Sequence, residues 1–161
     1  MAIGGCSKEI PEDQIRYKNG VAYEFSYELG INLQKPITGS VVTYWENGQL
    51  QVKENYKDGK IHGLIEQYWE NGQLQLKEKW KDGEIEEYLE SYHENGQVHH
   101  TWNYKDGELH GYTESYHENG KVQYTRNRKD GKYEGIQQNF DDNGKLSSRK
   151  NFKDGKEIPL N

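Results

Sequence analysis

Tyr68-Trp69-Glu70-Asn71-Gly72-Gln73-Leu74, followed by Trp80-Lys81-Asp82-Gly83, holds two turn signals in sixteen residues. Both recur. The acid-Asn-Gly triplet returns as Glu46-Asn47-Gly48, Glu94-Asn95-Gly96, Glu118-Asn119-Gly120 and Asp142-Asn143-Gly144. The Asp-Gly pair returns as Asp58-Gly59, Asp106-Gly107, Asp130-Gly131 and Asp154-Gly155. Each series has a spacing of 24 residues, with no insertion or deletion in five copies. A fixed period of this size marks a repeat architecture.

Asn-Gly and Asp-Gly are strong hairpin signals, because a two-residue type I′ loop needs positive φ at both positions. The segments between them run over 73–81 and 84–94, long enough for strands of about 30 Å. The expected fold is all-β: a coiled antiparallel meander of about ten strands over residues 37–156. If each loop has two residues, Trp69 faces Leu74, Trp80 faces Ile85 and Gly63 faces Trp80. One face, taken as the core face, then carries Ile61, Ile65, Trp69, Leu74, Leu76, Trp80, Ile85 and Leu89. The other carries the column Tyr44, Tyr68, Tyr92, Tyr116 and Phe140. Glycines at 39, 63, 111 and 135 also follow the period, and rings facing them are expected to lie across them. Glu87 stands where a glycine is due, and Arg128 where a ring is due.

Composition agrees with a thin fold. Leu, Ile, Val and Phe together make only 18% of the 161 residues, while 13 Tyr and 4 Trp argue against disorder. Aromatic columns must replace a deep core. With 27 acids against 21 Lys and Arg, a net charge of −6 and no basic cluster, nucleic acid is not an expected partner. No apolar run approaches the ~20 residues of a membrane helix.

Residues 15–36 read as a degenerate, shortened repeat that caps the array, since Tyr17-Lys18-Asn19-Gly20 echoes the Tyr-Lys-Asp-Gly turn. Residues 157–161 read as a C-terminal tail. Residues 1–14 read as a flexible tether. Within it, Ile3-Gly4-Gly5-Cys6-Ser7 resembles the end of a bacterial lipoprotein signal, with the apolar leader trimmed. Cys6, the single cysteine, is the expected lipidation site, which places the chain at the bacterial envelope with membrane contact only through that anchor.

The Tyr68-Trp69-Glu70-Asn71-Gly72 block with Trp80-Lys81-Asp82-Gly83 and a following glycine resembles the bacterial variant of the MORN repeat, over about residues 37–156. Departures are His93 and His117 where Trp45 and Trp69 stand, Glu87 for glycine, and Arg128 for an aromatic. Related bacterial proteins are often labelled antitoxin or toxin-immunity proteins. The resemblance therefore implies a non-catalytic scaffold for a protein partner, a toxin among the candidates. An alternative is a carbohydrate or cell-wall module that stacks exposed, regularly spaced rings on sugars.

Repetition argues against catalysis, because an active site needs one constellation rather than five. The acids are mostly absorbed by turns, and no catalytic residue, cofactor or metal is expected. His93 and His117 are two strands apart, ~10 Å, too far to share a zinc ion. His99 and His100 point to opposite faces of a regular strand. Binding is sought where a column fails to repeat. On the core face two columns drift: Val52, Leu76, His100, Tyr124, Ser148, and Glu54, Glu78, Trp102, Arg126, Lys150. The register sets His100 against Thr113 and Thr113 against Arg126. His100, Trp102, Tyr124 and Arg126 are thus the expected partner-binding cluster, of residue types enriched at interfaces.

Overall fold

The computed structural model describes residues 9–19, 21–26 and 33–160. Ten hairpin arms follow the period. They are β5 (Gly39–Tyr44), β6 (Leu50–Lys57), β7 (Lys60–Tyr68), β8 (Leu74–Lys81), β9 (Glu84–Tyr92) and β10 (Val98–Lys105), then β11 with β12 (Glu108–Leu109, Gly111–Tyr116), β13 (Val122–Lys129), β14 with β15 (Lys132–Tyr133, Gly135–Phe140) and β16 (Leu146–Lys153). Each arm pairs antiparallel with the next in one 14-stranded sheet. At one edge β1 (Glu9–Pro11) pairs parallel with β5, and at the other β17 (Lys156–Ile158) pairs with β16. β2 (Ile15–Lys18), β3 (Val21–Ser26) and β4 (Leu33–Pro36) form a separate three-stranded sheet. No helix among the described residues is long and apolar enough to cross a membrane.

The two turn signals fold differently. The Asp-Gly pairs adopt the expected type I′ loop, with Asp82 at φ 50° and Gly83 at φ 95°. The Asn-Gly pairs do not. Asn71 keeps negative φ, Gly72 N donates to Trp69 O at 2.8 Å, and Trp69 N donates to Gln73 O at 2.8 Å. This is a three-residue loop closed by a glycine bulge. The register moves by one residue: Tyr68, rather than Trp69, faces Leu74. Asparagine is needed here for its amide rather than its backbone. Asn71 Oδ1 accepts from Gln73 N at 2.9 Å, and Nδ2 donates to Glu94 O of the following repeat at 3.0 Å.

A second bulge sits beyond each of the first four Asp-Gly turns. Tyr56 faces Ile61 but Glu54 faces Ile65, so β7 holds two surplus residues. Gly63 lies among them at φ 104°. It faces Trp80 as the register predicts. A Cβ built on Gly63 would meet Asn55 Cβ first, at 3.4 Å, and one on Gly135 would meet only Asn127 Nδ2, at 4.0 Å. The glycine serves the bulge. The recurring bulges add right-handed twist, and they coil the sheet.

Neighbouring repeats are laced by ladders. Gly83 N donates to Ile61 O, Gly131 N to Leu109 O and Gly155 N to Tyr133 O, at 2.9–3.1 Å. Asn47, Asn71, Asn95 and Asn119 each reach the next repeat through Nδ2. At about 1 kcal/mol per bond, these rungs give each repeat a stabilising interaction with its neighbour.

The apolar core gathers at the first repeat, and Ile65 of the second is buried as well. Ile10, Ile15, Ala22, Ile37, Val41 and Tyr56 form one buried cluster, with Ile61 packed against it. Residues 9–14, read in the sequence as part of a tether, form β1 and a short 3-10 turn, and Ile10 is 1% exposed. The tail read from residue 157 likewise begins inside β17. Residues 1–8, with Cys6, lie outside the described residues.

Candidate partner-binding face

The drifting columns meet on β10, β12 and β13. The His100 and Trp102 rings stack at 4.7 Å with 12° between planes, and the His100 ring lies 5.8 Å from that of Tyr124. The Arg126 guanidinium sits over Tyr124, 4.5 Å from the ring centre. All four expected residues therefore form one contiguous cluster. Arg126 is anchored by Thr125 O and Gln138 O at 3.0 and 2.8 Å, and by Asn139 Oδ1. Thr113 faces Arg126 as expected, but the second bulge moves His100 from Thr113 to Ser115.

A bulge also overturns the expectation for His99. Val98 faces Tyr92 and His100 faces Ser91, which leaves His99 as the surplus residue. Its ring turns to the face of His100, with centres 3.9 Å apart, and lies 4.3 Å from that of His93. The three imidazoles form a row leading to Trp102. Burial, then the neighbouring His99 and His93, lower the His100 pKa to about 4; burial and His93 lower that of His99. His99 and His100 are thereby held neutral at pH 7. Among the described residues no three His, Cys, Asp or Glu side chains are grouped to hold a metal ion.

Each of the first four repeats places an N–H donor at the same rung. Trp45 Nε1 donates to Tyr68 O at 3.0 Å and Trp69 Nε1 to Tyr92 O at 3.4 Å. His93 Nε2 and His117 Nε2 reach Tyr116 O and Phe140 O at 3.0 and 3.3 Å. Histidine replaces tryptophan without loss of the rung, provided Nε2 carries the proton. The recurring tryptophan-or-histidine rung, the asparagine rung and the Asp-Gly turn coincide with five matches to the family described as MORN repeat variant, at residues 37–58, 61–82, 88–106, 109–130 and 133–154. The chain belongs to that family. The third MORN match is the short one and begins just after Glu87, where the bulge lacks its glycine. No curated protein matches the chain. MORN repeats are generally non-catalytic modules, often in binding.

The family's own marks fix the scaffold, so the departures from them define the face. Arg128 replaces the aromatic of the Lys-Asp-Gly block, and its guanidinium lies 4.4 Å from the Tyr133 ring centre with Nη2 2.9 Å from the Tyr133 hydroxyl. Neither Arg128 nor Tyr133 belonged to the expected cluster. The signal for Arg128 was the lost ring itself; Tyr133 carried none, being apolar-like within its column. Trp102, Thr113, Tyr124, Arg126, Arg128 and Tyr133 line an open cleft of about 310 Å³. A second cleft of about 270 Å³ adjoins it and shares Arg126 and Tyr133. The acids on this face at earlier repeats are internally engaged: Glu54 accepts from the Tyr56 hydroxyl at 2.7 Å, and Glu78 from Trp80 Nε1 at 2.9 Å.

Proposed function

We propose that the chain is a non-catalytic scaffold that binds a protein partner through the core face of its third to fifth repeats. The observation that carries this reading is the coincidence of drift and opening. Columns that hold the array stay apolar or hydrogen-bonded, whereas the two that change converge on His100, Trp102, Tyr124 and Arg126 beside an open cleft. Aromatic rings and arginine in a partly desolvated depression are the residue types that dominate binding energies between proteins. An immunity or antitoxin role, with a toxin as the partner, and a lipid anchor on Cys6 at the bacterial envelope complete the proposal.

The test is affinity capture from native extract with the full chain. Trp102→Ala and Arg126→Ala should each weaken a saturable protein partner at least tenfold while circular dichroism stays unchanged. Equal retention by both variants refutes the face. Mass spectrometry of the native protein should find diacylglycerol on Cys6, and an unmodified cysteine removes the anchor. The sugar-stacking alternative loses support from the tryptophans. Trp45, Trp69 and Trp80 commit their indole N–H groups internally, and the prominently exposed rings, Tyr17, Tyr44 and Tyr112, do not form one regular row. Titration with cell-wall glycans should leave tryptophan fluorescence unchanged.

A further inference from the structure

The cleft at the fourth repeat occupies the same columns as the buried core of the first. Ile37, Val41, Val52, Glu54, Tyr56 and Ile61 become, three repeats on, Leu109, Thr113, Tyr124, Arg126, Arg128 and Tyr133. At the first repeat this surface is covered by the chain itself. Ile10 and Ile15 fill it, the Tyr17 hydroxyl lies 3.1 Å from that of Tyr56, and Glu12 lines the remaining cleft together with Glu54. The covering segment, Glu9-Ile10-Pro11-Glu12-Asp13-Gln14-Ile15-Arg16-Tyr17, is acidic and carries two isoleucines.

At the fourth repeat the surface keeps its shape-giving columns and changes its charge. The carboxylate and phenol of positions 54 and 56 give way to two guanidiniums. Neither Arg126 nor Arg128 forms an ion pair among the described residues, and both sit on a chain of net charge −6. Each is stacked on a tyrosine, which fixes the plane of the fork before a ligand arrives and lowers the ordering cost of binding. An oriented guanidinium matches a carboxylate bidentately. We propose that the core face of the fourth repeat takes an acidic segment bearing aliphatic side chains, supplied by a partner protein and lying over the face as residues 12–17 lie over the first repeat; the edge pairing of β1 with β5 has no counterpart there, because β12 is bonded on both sides, to β10 and β13. The proposal rests on the protein-binding reading of this face and names the chemistry of its partner. The aliphatic groups lie over Leu109 and Tyr133, and the carboxylates meet Arg126 and Arg128.

The probe is a capped peptide with the sequence of residues 9–17, with a twin in which Glu9, Glu12 and Asp13 are replaced by Gln and Asn. Titrated into the full chain at low salt, the acidic peptide should saturate a change in tryptophan fluorescence, because Trp102 lines the cleft. Arg126→Gln and Arg128→Gln should each weaken it at least tenfold, as should 0.5 M salt, and the neutral twin should not saturate. Arg128 has the fewer internal bonds, so its variant serves if Arg126→Gln loses the fold. Equal binding of the twin, indifference to both arginines, or no saturation at all overturns the proposal. A natural partner lost in Trp102→Ala yet retained by both arginine variants also overturns it and leaves the protein-binding reading standing. Self-association of the intact chain that Arg126→Gln abolishes assigns the surface to a second copy and overturns the choice of a foreign partner.

Discussion

The first and fourth repeats share their columns, their turns and their bulges, yet they are buried in opposite ways. At the first repeat Ile37, Val41 and Tyr56 are 1, 4 and 6% exposed beneath a second layer of apolar side chains. In the fourth and fifth the buried residues are polar: Thr113, Ser115 and Gln137. Ser115 Oγ donates to Gln123 Oε1 at 2.8 Å. Gln137 takes the amide of Asn127 on Oε1 at 3.0 Å and returns Nε2 to the Asn127, Glu134 and Gly135 carbonyls at 3.2–3.4 Å. The 24-residue unit builds only one layer. A hydrophobic core requires a covering segment, and where none is present the sheet satisfies its interior with hydrogen bonds and leaves a polar, binding-competent face.

The sharpest way to break this comparison is one substitution made in both places. A Cβ on Gly59 would meet Val21 Cγ1 at 2.3 Å and Ala22 O at 2.8 Å, with φ at 79°. On Gly131, its equivalent three repeats on, the nearest atom is Glu108 Oε2 at 3.7 Å, with φ at 74°. Gly59→Ala should cost about 3 kcal/mol or more, as the cap is pushed from Ala22. Gly131→Ala should cost only the left-handed backbone strain, about 1–2 kcal/mol. Equal losses in denaturant melts would mean that the cap does not pack as described.

Next in size is Ile10→Ala, expected to cost about 2–4 kcal/mol through a cavity in the buried cluster. Gln137→Leu should cost about 1–3 kcal/mol by stranding the Asn127 amide and carbonyl at the bulge. If chemical denaturation finds Gln137→Leu stabilising, the polar interior of the later repeats is a tolerated defect rather than a substitute for a core.

The periodic part of this contrast was legible in the sequence. Turn spacing gave the antiparallel array, and the pairing of Gly63 with Trp80 and of Gly135 with Phe152 follows from it. The reading failed where backbone conformation rather than residue pattern decided the outcome. Asn71-Gly72 can close a two-residue or a three-residue loop, and the choice depends on the Asn71 amide finding Glu94 O in a repeat 23 residues away. The same choice at Asn95-Gly96, where Asn95 Nδ2 donates to Glu118 O, comes with the bulge that turns His99 onto the face of His100. The covering role of residues 9–17 was hidden for another reason. It is a single, non-repeating segment, so nothing in the period reports where it docks.

The third repeat joins the two halves, and His100 ties its stability to pH. The His100 pKa lies near 4 in the folded chain against about 6.5 unfolded. The unfolded chain therefore binds more protons between those values, and stability falls as pH drops from about 6.5 to 4. After solvent screening the loss is on the order of 1 kcal/mol. The thermal midpoint of His100→Gln should fall less over this interval than that of the parent, and parallel curves would show that His100 does not report on folding.

The smallest effect distinguishes a departure that changes the face from one that only changes a letter. His93 stands where Trp45 and Trp69 stand, and its Nε2 makes the same rung to the next repeat. His93→Trp retains a donor at that height and should shift stability by less than about 0.5 kcal/mol, within the range of a tolerated surface change. His93→Phe keeps a ring but removes the donor, and leaves Tyr116 O without that bond at a cost of about 1 kcal/mol. The order of the two variants decides the matter. A phenylalanine as stable as the tryptophan would make ring packing the conserved requirement of this column. A tryptophan alone matching the parent makes it the N–H, and then the drift of His100 and Trp102, which hold no such rung, stands apart as change on the binding face.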